Sequence, residues 1–113
     1  MEARLATSVL AGGLIRRAEA EGGNGAVLAK GDATAGALLV ILTERGADPR
    51  VLERVLQPDG RYAWREAAVS REAGSAEIGE FIARTRRFDP DLWVIELDIP
   101  SAERFAAAMN DLD

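Results

Sequence analysis

Four carboxylates surround a run of large apolar residues between Asp89 and Asp98, and they are the side chains best suited to chemistry. Asp89 and Asp91 flank a proline, whereas Glu96 and Asp98 would share one face of a strand, about 7 Å apart. Such acids suit a hard cation such as Mg²⁺, which accepts carboxylates and water and needs no histidine. The alternative, which we favour, is that the first pair shapes a helix–strand corner and the second pair lies where the strand meets solvent. We therefore predict no catalytic residue, no bound metal and no other cofactor.

Arginine side chains offer a second kind of candidate, an anion site. Arg84 and Arg87, with Arg86 between them, could clamp a phosphate or a carboxylate. Cations in the last turn of a helix also interact favourably with the helix dipole, and we favour that interpretation. The only lysine, Lys30, precedes the stretch GDATAG (31–36). This stretch lacks the Walker spacing of a phosphate cradle, and we interpret it as a turn between strands.

Aromatic side chains are the third kind of candidate. Tyr62 and Trp64 are two of six aromatic residues in the chain and alternate along a predicted strand, so they lie on one side of it. If exposed, they form a recognition surface of the type enriched at interface hot spots. If buried, they pack beneath the second predicted helix and cover the sheet. Both interpretations stay open, and the candidate binding residues are Tyr62, Trp64, Arg84 and Arg87.

The composition of the 113-residue chain excludes several classes of chemistry. It contains no cysteine and no histidine. Disulfides, thiolate catalysis, Cys-ligated zinc and any imidazole base are therefore impossible. The formal charge of −5 argues against non-specific binding of nucleic acid. No window of the sequence approaches the roughly 18 apolar residues of a membrane span. We expect one domain over residues 1–113, in the cytoplasm, with neither a membrane nor a nucleic-acid partner.

Regular elements must position these residues, and the first of them is a helix. Apolar residues recur at three- or four-residue spacing from Ala3 to about Glu21, and the glycine-rich stretch 22–25 ends the pattern. Gly12 and Gly13 in its middle each cost about 1 kcal/mol relative to alanine. Either a neighbour packs closely against these glycines or the helix bends there.

A second helix and a further strand follow in the last third of the chain. Ser75 is the predicted N-cap of a helix whose apolar residues step by three or four, and Pro90 ends that helix at Asp89. From Leu92 to Ile99 the period becomes two, so odd-numbered residues face one way and even-numbered residues the other. Ser101 is predicted to cap a short terminal helix.

Four strands are predicted between the two helices. Pro58-Asp59-Gly60 joins two of them as a hairpin, because Pro presets φ, Asp bonds its own backbone and Gly supplies positive φ. Strands close in sequence favour antiparallel neighbours. We therefore predict an α+β fold with an N-terminal helix, a four-stranded, mostly antiparallel segment, a second helix, a C-terminal strand and a short terminal helix, the helices lying on one face of the sheet. The four strands span residues 26–30, 37–44, 51–57 and 61–69.

Three stretches resemble a known family. They are LIRRAEAEGG (14–23), AVLAKGDATAGALLVIL (26–42) and, most specifically, RFDPDLWVIELD (87–98). They are similar to a small family of uncharacterised alphaproteobacterial proteins, a domain of unknown function with an Arg-Phe-Asp-Pro-Asp-Leu-Trp signature. The resemblance covers nearly the whole chain. It implies an alphaproteobacterial source and a cytoplasmic single domain, and it assigns no activity and no site residue.

Two functions of different classes fit these observations. The first is a small non-catalytic interaction module that binds another protein or its own copy through an open sheet edge or an aromatic patch, because so short a chain has a surplus of apolar strand sequence. The alternative is a metal-dependent hydrolase or nuclease-like enzyme, since the element order resembles nuclease cores. Those sites usually add a lysine to two acids, whereas here Glu53 is followed by Arg54. We therefore favour the interaction module over an enzyme.

Overall fold

The computed structural model describes residues 6–67, Val69 and 74–110, so predictions that fall on residues 3–5 and on Ala68 lie outside the described residues. The predicted α+β class and the order of helix, four strands, helix, strand and terminal helix are confirmed. The elements are α1 (Thr7–Ala20), β1 (Asn24–Ala29), β2 (Leu38–Glu44), β3 (Ala47–Leu56), β4 (Tyr62–Glu66), α2 (Ser75–Phe88), β5 (Trp93–Ile99) and α3 (Ala102–Met109).

The five strands form one mixed sheet in the order β1-β5-β2-β3-β4. Strand β5 lies between β1 and β2, antiparallel to β1 and parallel to β2, and the remaining pairs are antiparallel. The predicted hairpin is confirmed as β3–β4, with Gly60 at a φ of 86° in its turn. The loop 31–36 is a turn, as predicted, but it joins two strands that are not neighbours in the sheet.

One face of the sheet is covered by α1 and α3. The odd-numbered residues of β5, from Trp93 to Ile99, point to this face together with the even-numbered residues of β2. Phe105 of α3 and Leu14 of α1 are completely buried against them. The predicted two-residue alternation of β5 is therefore confirmed, and this face holds the larger part of the core.

Helix α2 lies on the opposite face, so the prediction that the helices share one face is wrong. Leu92 and Val94 pack there with Leu39 and Ile41 of β2 and with Ile78, the buried residue of α2. The reason lies in β2, which is apolar and buried at every position from 38 to 42. A strand that is apolar on both faces needs cover on both faces.

The helix boundaries follow local signals with one shift. Helix α2 begins one residue after its N-cap Gly74, and no side chain caps it, so Ser75 is the first helical residue rather than the predicted cap. It ends before Asp89, as predicted from Pro90. Ser101 caps α3 as predicted, its Oγ accepting a hydrogen bond from the Arg104 amide at 3.4 Å.

Helix α1 runs without interruption through its two central glycines. Within the described part of the chain, a Cβ placed on Gly12 would meet only Nη1 of Arg16, at 3.3 Å, and one on Gly13 only Nη2 of the same arginine, at 3.9 Å. Both neighbours belong to the end of a flexible side chain of α1 itself. The close packing that would explain these glycines is therefore not found within the described residues.

Candidate functional site

The first pair of carboxylates builds the corner between α2 and β5. Oδ1 of Asp89 accepts a hydrogen bond from the amide of Asp91 at 3.2 Å. The backbone carbonyl of Asp91 accepts one from the amide of Asp32 at 3.0 Å, which ties the corner to the loop after β1. These contacts support the favoured interpretation, in which this pair shapes a helix–strand junction.

The second pair lies at the other end of β5. Oδ1 of Asp98 accepts hydrogen bonds from the amide of Gly46 and from Oγ1 of Thr43, each at 2.8 Å. The Gly46 amide, followed by the Thr43 hydroxyl, holds the pKa of Asp98 below its usual value of 3.8. Asp98 thereby fixes the β2–β3 turn to β5, while Glu96 on the same face is exposed.

The four acids do not gather into one constellation, because a strand separates the two pairs. Within residues 6–67, 69 and 74–110, no group of three or more acidic side chains could hold a metal ion. Asp98 already accepts two hydrogen bonds inside the fold. The described residues therefore give the hydrolase alternative no site, and we do not propose it.

The four candidate binding residues do not form one site either. Arg84 and Arg87 are exposed on α2, with Arg87 in the last turn as the dipole argument expects. Tyr62 and Trp64 lie on β4, and Trp64 packs against the core beneath α1 and α3, on the face of the sheet opposite α2. The alternative in which the aromatic pair packs beneath the second helix is therefore wrong.

The aromatic pair lies where α3 meets the edge of the sheet. The backbone amide of Trp64 donates to Oδ1 of Asn110, the residue that ends α3, at 2.9 Å. The guanidinium of Arg54 stacks 3.8 Å from the centroid of the Tyr62 ring. Tyr62 and Arg54 line a cleft of about 450 Å³ together with the start of α1 and residues 34–38. Trp64 is thus half-buried between the core and the sheet edge.

The loop 31–36 is a structural junction rather than a phosphate cradle. Oδ2 of Asp32 accepts hydrogen bonds from the amides of Thr34 and Ala35, at 3.2 and 2.8 Å. The indole Nε1 of Trp93 donates to the Asp32 carbonyl at 2.7 Å. Oγ1 of Thr7, at the start of α1, donates to the Gly36 carbonyl at 2.7 Å. The loop therefore joins α1, β1 and β5, and its polar groups are used within the fold.

The sequence patterns did not single out the exposed apolar side chains of β1. β1 is an outer strand of the sheet, and no strand in the described ranges pairs with its outer side. Val27 and Leu28 on β1 are 42% and 52% exposed, and Val9 on α1 is 52% exposed. A signal was present in the sequence, since the stretch NGAVLA (24–29) contains no charged residue.

Fold and surfaces together define a small α+β protein with a mixed five-stranded sheet, covered on both faces. The chain belongs to the family described as a protein of unknown function (DUF1491), whose model matches residues 5–107. The resemblance to an uncharacterised alphaproteobacterial family is therefore confirmed. None of the helices in the described residues combines the length and apolar character needed to cross a membrane.

Solved structures agree with this assignment. The chain is 33% identical to a DUF1491 family protein from Caulobacter crescentus CB15 in a crystal structure, over 90% of this chain and 94% of that one, with a TM-score of 0.81. An NMR structure of a DUF1491 family protein from the same organism matches at 32% identity, over 92% and 94% of the two chains, with a TM-score of 0.78. A solution structure of a protein from A. tumefaciens matches at 31% identity, over 91% and 92%, with a TM-score of 0.72. No functionally curated protein matches the chain.

Proposed function

We propose that this protein is a single-domain, non-catalytic interaction module of the cytoplasm, which binds a protein partner along the outer edge of β1. The observation that carries the proposal is the uncharged, apolar character of this edge, with Val27 and Leu28 exposed on it. An outer strand presents unpaired amide and carbonyl groups that can pair with another chain. Soluble proteins usually protect such an edge with charged residues, proline or a covering segment.

A further exposed apolar residue, Val9, lies on the helix that packs against the strand. The amides of Thr7 and Ser8 at the start of α1 donate to the carbonyls of the loop that follows β1, at 3.3 and 3.0 Å. Val9 therefore lies at the same end of the molecule as Leu28. Three of the five exposed large hydrophobic residues in the described part of the chain are Val9, Val27 and Leu28, which makes this end the best candidate for a contact surface.

Addition of a strand supplies both parts of recognition. Main-chain hydrogen bonds to the open edge give affinity, and the side chains beside it give specificity. This mode needs no catalytic group, no metal and no nucleophile, which agrees with a chain that has neither histidine nor cysteine. Separate binding roles for Tyr62, Trp64, Arg84 and Arg87 stay predictions, which alanine variants would test one by one.

Photo-crosslinking at the two edges of the sheet tests the proposal. A photoreactive amino acid replaces Leu28 on β1 or, as the matched control, Arg65 on β4, and both residues are exposed on an outer strand. In an alphaproteobacterial host we expect an adduct of defined mass from position 28 and none from position 65. Absence of an adduct at position 28, or the same adducts from both positions, would contradict a binding role for β1.

A further inference from the structure

We infer that the cleft between the start of α1 and the β3–β4 hairpin is a binding site for a small organic anion, a carboxylate or a phosphate ester with an apolar part. The cleft has a volume of about 450 Å³, and its described walls are the start of α1, residues 34–38 and the hairpin. Binding sites for small molecules are clefts of about 300–1,000 Å³. The inference goes beyond the proposed function, because it concerns another part of the surface and another class of ligand.

Strand pairing places the hairpin side of the cleft on the face of the sheet that α1 and α3 cover. Arg54 of β3 lies opposite Trp64 of β4, and Tyr62 is two residues before Trp64, so the three side chains share one face. Trp64 packs against the core on that face, whereas Arg54 and Tyr62 line the cleft. The cleft therefore begins where the packed core ends along the hairpin.

Arg54 gives the cleft its charge. Among the described residues that line the cleft, Arg54 is the only one with a charged side chain, and no acid lies beside it in the lining. A guanidinium stays protonated in proteins, and its fork of N–H donors matches the two oxygens of a carboxylate or a phosphate. Because the chain as a whole carries a formal charge of −5, this cleft differs from the average surface in favouring an anion.

Tyr62 holds the guanidinium of Arg54 in a defined plane. Cζ of Arg54 lies 3.8 Å from the centroid of the Tyr62 ring, over its face. Attraction between the cation and the ring stabilises this stacking, which uses the flat face of the guanidinium and leaves the direction of its N–H groups in the plane. A side chain held in this way loses less conformational freedom when it binds an anion. Tyr62 is therefore a positioning residue for Arg54.

The wall formed by residues 34–38 is built before any ligand binds. Oγ1 of Thr7, which is only 3% exposed, donates to the carbonyl of Gly36 at 2.7 Å and ties this wall to the start of α1. Ala35 and Ala37 line the cleft with side chains of a single methyl group, and both are exposed. Their small size leaves room for the apolar part of a ligand, and a preformed wall lowers the entropic cost of binding.

The same wall limits how much negative charge the ligand carries. The amides of Thr34 and Ala35 donate to Oδ2 of Asp32, at 3.2 and 2.8 Å, so they do not form a cradle for phosphate groups. Arg54 is then the charged group that meets the anion, and Leu38 and the two alanines meet the apolar part. This arrangement suits a ligand with one carboxylate or one phosphate group and does not suit a polyphosphate.

Titration of the isotope-labelled full chain, followed by amide NMR, tests the inference. The probes are phenyl phosphate and benzoate, with benzamide as a neutral counterpart and inorganic phosphate as an anion without an apolar part. We expect saturable shifts at the amides of residues 34–38 and of Arg54, with a Kd on the order of 1 mM for probes of this size. Benzamide and inorganic phosphate should bind about tenfold more weakly or less. Absence of saturable shifts from both organic anions, or equal binding of either comparison compound, would overturn the inference.

Variants of the cleft show whether the anion binds at the predicted place. Arg54→Gln removes the charge and should raise the Kd for phenyl phosphate about tenfold. Its matched control is Arg61→Gln, at an exposed arginine outside the cleft, which should leave the Kd unchanged. Ala37→Phe fills the cleft and should also weaken binding, whereas Ala26→Phe adds the same side chain at an exposed position of β1 and should not. An unchanged Kd in Arg54→Gln or in Ala37→Phe would overturn the inference.

The role of Tyr62 has its own pair of variants. Tyr62→Leu removes the ring and should weaken binding of phenyl phosphate, whereas Tyr62→Phe keeps a ring for stacking and should restore it. Thermal unfolding and the amide spectrum outside the cleft separate loss of binding from loss of the fold. If Arg54→Gln fails to fold, Ala37→Phe and its control decide the question. Crosslinking at position 28 is independent of these results, since none of the described lining residues belongs to β1.

Discussion

The two outer strands of the sheet are held and protected by different means. On β4, the Trp64 amide donates to Asn110 of α3, and Nε of Arg65 pairs with Oε1 of Glu53 at 2.8 Å. Helix and charges thus protect this edge from further pairing. β1 has no charged residue and, within the described ranges, no segment that pairs along its outer side. Among the residues that the structure describes, the protection of β1 is limited to the bulge at Leu28.

In addition to its pairing with β5, β1 is attached to the sheet through close backbone contacts just beyond its two ends. A Cβ on Gly23 would lie 1.9 Å from the carbonyl oxygen of Asp98, and one on Gly31 would lie 1.9 Å from that of Asp91. Only glycine permits such close approach of two backbones. An edge strand held in this way keeps its outward side chains free, whereas β4 uses its side chains and the end of α3 to stay closed. The two edges of the sheet are therefore suited to different tasks.

The largest effect is expected from removing the residue that anchors α3 over the protected half of the sheet. Phe105 is completely buried, so Phe105→Ala should lower the free energy of unfolding by about 4 kcal/mol, through lost burial and the cavity left behind. Urea unfolding followed by tryptophan fluorescence measures the change. Phe88→Ala is the matched control, because Phe88 is 86% exposed and its loss should stay within about 0.5 kcal/mol. Equal losses in both variants would contradict the packing of α3.

A smaller effect is expected at the attachment of β1. Gly23→Ala forces its new methyl group against the Asp98 carbonyl, so we expect a loss of about 2 kcal/mol in the free energy of unfolding. The control Gly79→Ala adds a methyl group on α2 with no described residue within 4 Å of it, and it should raise stability by up to about 1 kcal/mol. Similar results at both positions in chemical denaturation would show that β1 is not held by close backbone contact.

A smaller loss in the free energy of unfolding is expected when the protected edge at β4 is opened. Asn110→Ala removes the acceptor for the Trp64 amide, and we expect a loss of about 1 kcal/mol together with faster hydrogen exchange at that amide. NMR-detected exchange measures the effect at the residue itself. Asn24→Ala on exposed β1 is the control and should leave the Trp64 amide unchanged. Unchanged exchange in Asn110→Ala would mean that α3 does not protect β4.

The smallest effect is expected at Asp98, which joins β5 to the β2–β3 turn, and this effect depends on pH. The pKa of Asp98 in the folded protein is lowered from 3.8. Its carboxylate therefore stabilises the fold above pH 3.8, and this stabilisation is lost as the pH falls through the folded pKa. Asp98→Asn should therefore be less stable than the wild type at neutral pH, and the two should converge in acid. Thermal melts across the acid range measure this, with Glu96→Gln as the control for the change in net charge. A gap that persists at low pH would assign the effect to packing.

Local features of the fold were predictable because local chemistry decides them. Pro90 ended α2, Gly60 made the hairpin turn and the alternation from Leu92 identified the two faces of β5. Insertion of β5 between β1 and β2 has no local signature, since it depends on pairing between distant parts of the chain. The placement of α2 on the second face was implied by the fully apolar β2, but the order of elements alone did not say which helix would supply the cover.

The candidate site was predictable only as a set of residue types. The roles of the acids depended on partners far away in sequence: Asp98 is bound by Thr43 and Gly46, which no spacing rule connects to it. Trp64 packs beneath α1 and α3 because the terminal helix crosses the sheet to reach β4. The open edge of β1 could have been suspected from its lack of charge, but its position at the end of the sheet needed the topology.

The insertion of β5 between β1 and β2 also determines the order in which the strands can pair during synthesis. β1 and β2 leave the ribosome early, yet the strand that joins them is the last one synthesised. Until it arrives, the three antiparallel strands β2, β3 and β4 can pair with one another, while β1 has no strand to pair with. Contacts between segments so far apart in sequence close slowly, because the loop entropy must be overcome first. The nascent chain therefore carries an unpaired, uncharged strand for most of its synthesis, and the folding rate should be set by the docking of its C-terminal third.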